Sequence, residues 1–133
     1  MALSKSEPLV LGVIISILFT GLVGIPFGDP RFISIAILLE LVFIGLAISV
    51  LRGYSRSLYI CIGLASVIII GNSLTAAHIH RIMSFAKPVN TIVLIIGGYI
   101  LQALLIYSSV RAISEKRRKD SSRNNETLTA SHY

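Results

Sequence analysis

Three stretches of this chain, 8–28, 57–77 and 88–110, contain no charged residue, and a fourth, 31–51, carries a single acid near its middle. A helix of about 20 apolar residues crosses the hydrocarbon core of a bilayer. Four such stretches leave no room for a separate soluble domain. Only 14% of the residues are charged, against roughly 25% in a soluble domain. The expected fold class is therefore all-α, a membrane protein with four transmembrane helices in an antiparallel up-down bundle. The spans are expected at about 8–27, 32–51, 57–78 and 89–112, within a transmembrane domain over 1–113. A basic polar tail over 114–133 follows.

The connections are short. Gly28-Asp29-Pro30 suits a tight turn, because the residue before a proline leaves the helical region and Gly and Asp favour turns. The first apolar core is long, and Ile25, Pro26 and Phe27 stand where a signal-peptidase site needs small residues, so an uncleaved anchor is expected. Four spans place both termini on one side. That side holds Lys5, Arg52, Arg56 and the basic residues of 111–123, whereas Arg31, Arg81 and Lys87 fall on the other. An excess of Lys and Arg marks the cytoplasmic face, so both termini are expected to be cytoplasmic, in the cell membrane or the inner membrane of an organelle. The net charge of +6 is concentrated at the end of the chain. This favours anionic lipid head groups at Lys116, Arg117, Arg118 and Lys119 over nucleic acid as the partner of the basic residues. Beyond Asp120 the tail is polar and aperiodic, and disorder is expected there.

The acid in the second span is Glu40, with about ten residues on each side. A charge at the bilayer centre costs about 2.5–3.5 kcal/mol on insertion scales. Glu40 is therefore expected to be protonated, paired, or facing water or a partner. Asn72 in the third span and Gln102 in the fourth are the deep amides able to hydrogen-bond to it. Glu40 is a candidate proton or cation station, but no second acid or base lies deep in any span, so a structural contact is the competing reading.

Small residues recur every four positions in the first span, at Gly12, Ser16, Thr20, Gly24 and Gly28. Such a stripe lets helices approach closely in lipid and is expected to form a packing seam. In the fourth span Thr91, Gly98, Gln102 and Ser109 fall on one heptad-like stripe. Gly97-Gly98 there permits a close contact or a bend. The lone cysteine, Cys61, lies in an apolar run and is expected to be a small packing residue. His78 and His80 are candidate metal ligands, since neutral imidazoles bind copper, zinc and haem iron. At i, i+2 the two rings share one ion only on an extended backbone, or with help from another subunit. No GxSxG, HExxH, Cys/His pairing or phosphate loop occurs, so neither a cofactor nor independent catalysis is expected.

Phe19, Gly21, Leu22 and Gly24, followed by Arg31 and then Leu39-Glu40-Leu41, form a pattern similar to the K subunit of respiratory complex I and related small antiporter subunits. The resemblance covers roughly 9–51. It implies that Glu40 is a station on a lateral proton path. That family has three spans and a second glutamate in the third. This chain has four spans, and its third carries no acid.

Two functions are consistent with these features. One is a small non-catalytic accessory subunit of a larger membrane complex, a respiratory or other membrane oxidoreductase such as a monooxygenase, stabilised by helix packing with larger integral-membrane subunits in the lipid bilayer. The alternative is a small homo-oligomeric proton- or cation-coupled transporter or channel using Glu40.

Overall fold

The structure is a computed structural model that describes residues 6–27, 30–74 and 88–132. Helix α1 spans Glu7–Gly24 and runs into a 3-10 turn, Ile25–Phe27. A second 3-10 turn, Pro30–Phe32, leads into α2, Ile33–Leu51. Helix α3 spans Ser55–Leu74. The fourth span begins with α4, Pro88–Ile95, passes through a π-helical turn, Ile96–Ile100, and continues as α5, Leu101–Ala130. Among the described residues, four helical segments are long and apolar enough to cross a membrane. Helix α1 packs on α2 and on the fourth span, and α3 packs on α2 and α5.

The ends of these helices follow from local chemistry. Glu7 and Pro8 open α1, an acid favoured by the helix dipole and a proline whose missing N–H would be unpaired in any case. Pro26 lacks the N–H that a further α-helical turn would need. Helix α2 ends in a Schellman motif. The Gly53 N–H donates to the Val50 carbonyl at 2.9 Å and the Tyr54 N–H to the Ser49 carbonyl at 3.2 Å. Gly53 takes a φ of 76°, the left-handed region that its missing side chain permits.

Each helix buries a narrow seam. Val10, Val13, Ile14 and Ile17 come from α1, Phe43, Leu46 and Val50 from α2, and Leu58, Cys61 and Ala65 from α3. Leu105 and Ala112 come from α5. These spacings of three and four mark one helical face. The remaining apolar side chains point outward, with Phe19 71% exposed and Val67 65% exposed. Lipid accepts such surfaces, so burial here is set by packing rather than by hydrophobicity.

One end of the bundle is closed by an ion pair. Lys116 Nζ lies 2.5 Å from Glu7 Oε1, and the Glu7 side chain is only 3% exposed. The same ammonium reaches the Gly53 carbonyl at 3.5 Å and Ser55 Oγ at 3.4 Å. Ser6 Oγ donates to Glu115 Oε1 at 2.6 Å, and Arg111 pairs with Glu115 at 3.6 Å. The start of α1, the α2–α3 turn and the middle of α5 therefore meet at one end.

Two expectations are corrected. Lys116 turns inward to Glu7 instead of standing free for lipid head groups, and Arg117 donates to the Tyr59 hydroxyl at 3.2 Å. Arg118 and Lys119 are exposed. The polar tail, expected to be disordered beyond Asp120, is helical to Ala130. A helix propagated from a packed span needs no new nucleus. No glycine or proline interrupts α5, and Thr127 and Thr129 donate their hydroxyls to the carbonyls of Arg123 and Asn125.

Gly53→Ala should destabilise the protein by about 1 kcal/mol, read from thermal unfolding in detergent, because alanine resists the left-handed region. Lys116→Met should cost about 3 kcal/mol by taking the ammonium away from the buried Glu7 carboxyl. Glu7→Leu combined with Lys116→Met should recover most of that loss.

Candidate functional site

The polar side chains deep in the bundle gather at one level, and each contact is made by a different pair of elements. On α2, the Glu40 carboxyl sits against Gly21 of α1, where an added Cβ would overlap Oε1. The preceding residue of α1, Thr20, donates its hydroxyl to the Ser16 carbonyl at 2.8 Å and turns its methyl to the π-helical turn. A Cβ on Gly97 would stand 3.1 Å from Thr20 Cγ2. Across the bundle, Asn72 of α3 donates its amide to the Gly98 carbonyl at 3.4 Å, and the Ser73 and Tyr99 hydroxyls are 3.3 Å apart. One turn deeper, Gln102 Nε2 donates to the Gly97 carbonyl at 3.0 Å. The result is a belt at which all four spans meet, its hydrogen bonds made by α3 and the fourth span and its α2 member the Glu40 carboxyl.

The π-helical turn explains why the belt forms here. A π turn loosens the regular ladder, and the freed carbonyls need other donors. The Leu101 N–H bonds back to the Ile96 carbonyl. The carbonyls of Gly97 and Gly98 take the side-chain amides of Gln102 and Asn72. Gly98 also leaves room for Asn72, since a Cβ there would collide with its amide nitrogen. Gln102 is 2% exposed, and its Oε1 has no hydrogen-bond partner among the described residues.

Glu40 does not bond to Asn72 or Gln102, contrary to the expected pairing. Both amides are drawn instead to the π-turn carbonyls, and no polar side chain among the described residues pairs with Glu40. Its depth is also sharpened. Counting along α2 alone puts Glu40 at mid-span, but Gly21, which its carboxyl touches, lies within one turn of the end of α1. From Glu7 to Gly21 is about 21 Å along the helix, against a hydrocarbon thickness of about 30 Å.

The small-residue stripe of α1 divides in two. Gly12 has open space around it and Ser16 is exposed, with its hydroxyl donating to the Gly12 carbonyl at 2.9 Å. Thr20 meets Gly97, and a Cβ on Gly24 would stand 2.7 Å from Val93 Cγ1. Packing against the fourth span uses only the half of the stripe where the π turn brings that span close. Gly28, His78 and His80 lie outside the described residues. Thr91, Gly98, Gln102 and Ser109 are all buried. A second seam of small residues, Ser57, Cys61 and Ala65 on α3 and Ser109 and Ala112 on α5, lies where those helices pack, with Cys61 beside Ser109. Gly21 is the site residue that the four-residue stripe omits. Its signal is register: α1 and α2 fold back on each other, which brings position 40 opposite positions 20 and 21.

No family model matches the chain, and neither does any curated protein or solved structure. Among the described residues, no group of three His, Cys, Asp or Glu side chains is placed to hold a metal ion.

Gly21→Val should force the Glu40 carboxyl aside and loosen the α1–α2 contact, with a loss of about 1–3 kcal/mol on detergent unfolding. Gly12→Val, with open space around it, should be nearly neutral in the same measurement.

Proposed function

We propose that this chain is a small, non-catalytic integral-membrane subunit that packs into a larger membrane complex, with a respiratory or other membrane oxidoreductase as the class of host. The observation that carries this reading is the filling of the bundle axis. Val10, Ile14, Ile17, Phe43, Leu46, Leu58, Cys61, Ala65 and Leu105 form a continuous buried core between the polar belt and the Lys116–Glu7 pair. A transporter needs polar groups along its path, because an ion in hydrocarbon is costly. Here the buried hydroxyls below the belt, such as Ser108 and Ser109, are single groups within an apolar core. The outward faces of all four spans are apolar and suit lipid or neighbouring helices.

The accompanying topology is an up-down bundle in the cell membrane with both termini cytoplasmic. Support comes from the excess of Lys and Arg at the end where Glu7, Gly53 and Lys116 meet. Arg118 and Lys119, exposed just beyond that end, are the residues offered to anionic head groups.

Purified in mild detergent from its native membrane, the tagged chain should co-elute with larger integral-membrane subunits in a fixed ratio. A lone dimer in the same preparation, with a proton-linked flux that Glu40→Gln abolishes, would replace this reading with the transporter.

A further inference from the structure

The belt and the core divide the bundle unequally. Every buried apolar side chain among the described residues lies on one side of the belt, between it and the Lys116–Glu7 pair. On α1 these are the residues from Val10 to Ile17, on α2 those from Phe43 to Val50, on α3 those from Leu58 to Ala65, and on α5 Leu105 and Ala112. The buried hydroxyls in this region do not link into a path. Ser108 returns its hydroxyl to the Leu105 carbonyl at 3.2 Å, and Ser109 borders Cys61. On the other side of the belt, the one buried side chain among the described residues is that of Thr91, itself polar. Ser73 there is exposed, one residue from the end of α3.

We propose that Glu40 is a one-sided proton-binding site, reached through the polar belt from the face at which α1 and α3 end, and closed toward the face held by Glu7 and Lys116. Glu40 lies against Gly21; the adjoining Thr20 turns its methyl to Gly97 and its hydroxyl to the Ser16 carbonyl, and beyond Gly97 the polar contacts lead from the Gly98 carbonyl out through Asn72, Ser73 and Tyr99. Hydroxyls, amides and loosened carbonyls can hold water at membrane depth, whereas the core beneath them cannot. The proton passes between water in the belt and a Glu40 carboxyl oxygen, and no other bond changes.

Among the described residues, few other ionisable groups bear on Glu40; Asp29, His78, His80, Arg81 and Lys87 lie outside them. The one on α1 is Glu7, at the opposite end. Helix α3 carries Arg56, Tyr59 and Cys61 in its first two turns, and the fourth span places Tyr99 at the level of the belt and Tyr107 beyond it. Arg31 precedes α2 by more than two turns from Glu40. The proposal goes beyond the subunit reading and stands whether or not a partner is bound.

Sealed vesicles of known orientation test it, the orientation being read from protease cleavage of the α5 extension. On a Cys61→Ser background, Glu40→Cys and Ser73→Cys should react with a membrane-impermeant methanethiosulfonate added at the face where α3 ends. Neither should react from the other face. In the otherwise native protein, the carboxyl infrared band that Glu40→Gln removes should follow pH on the first face only. Reaction of Glu40→Cys from the Lys116 face, its silence while Ser73→Cys reacts, or a band that follows the other face or never titrates would each overturn the proposal. The infrared measurement needs no cysteine variant, so it decides the matter if Glu40→Cys fails to fold.

Discussion

The Lys116 ammonium, held against a buried Glu7 carboxylate, ties together parts of the chain more than a hundred residues apart. In lipid, apolar surface gains nothing by turning inward, so the hydrophobic effect cannot choose how four apolar helices pack. The polar contacts must make that choice. Lys116 also reaches the Gly53 carbonyl and Ser55, so one side chain meets α1, the α2–α3 turn and α5. The turn it grips is itself specified by the left-handed Gly53. Removing one member of such a pair takes the opposite charge away from a buried group, which is why the closure acts as a unit.

The opposite half of the bundle is held differently. There the contacts are uncharged, and they depend on a local fault in the fourth span. The π turn at Ile96–Ile100 loosens backbone carbonyls in a region where an unsatisfied carbonyl is expensive. Asn72 and Gln102 repair it from α3 and from α5 itself, and in doing so they are lost as partners for Glu40. That no polar side chain among the described residues pairs with Glu40 is thus a consequence of the backbone. The same turn brings Gly97 against Thr20, which sets Gly21 beneath the Glu40 carboxyl.

Much of this was legible from residue order. Four uncharged or nearly uncharged stretches place the spans, and the buried stripe Thr91, Gly98, Gln102 and Ser109 follows from heptad spacing. Glu40, Asn72 and Gln102 stand out as polar residues in apolar runs. What periodicity could not supply is who meets whom. Gly12 and Gly24 are equivalent in the four-residue repeat, yet one has open space around it and the other meets Val93. That difference depends on where the fourth span comes closest, which the π turn decides. The tail misled for a related reason. Its composition suits disorder, but its helix is inherited from the packed span before it.

The two ends also differ in what they permit. A charged closure seated on an apolar core disfavours water and ions, because both would have to enter a region whose few buried hydroxyls, Ser108 and Ser109 among them, stand in an apolar surround. A belt of neutral donors and loosened carbonyls admits water at little cost. An acid at the junction of the two belongs electrically to the side from which water arrives. This explains how a single carboxyl, without a second station in its own chain, can change its protonation without opening a path across the bilayer. A relay would need the core from Phe43 to Val50 and from Val10 to Ile17 to part, together with the ion pair beyond it. The sequence places no polar residue in those two stretches except Ser16 and Ser49, neither of them buried.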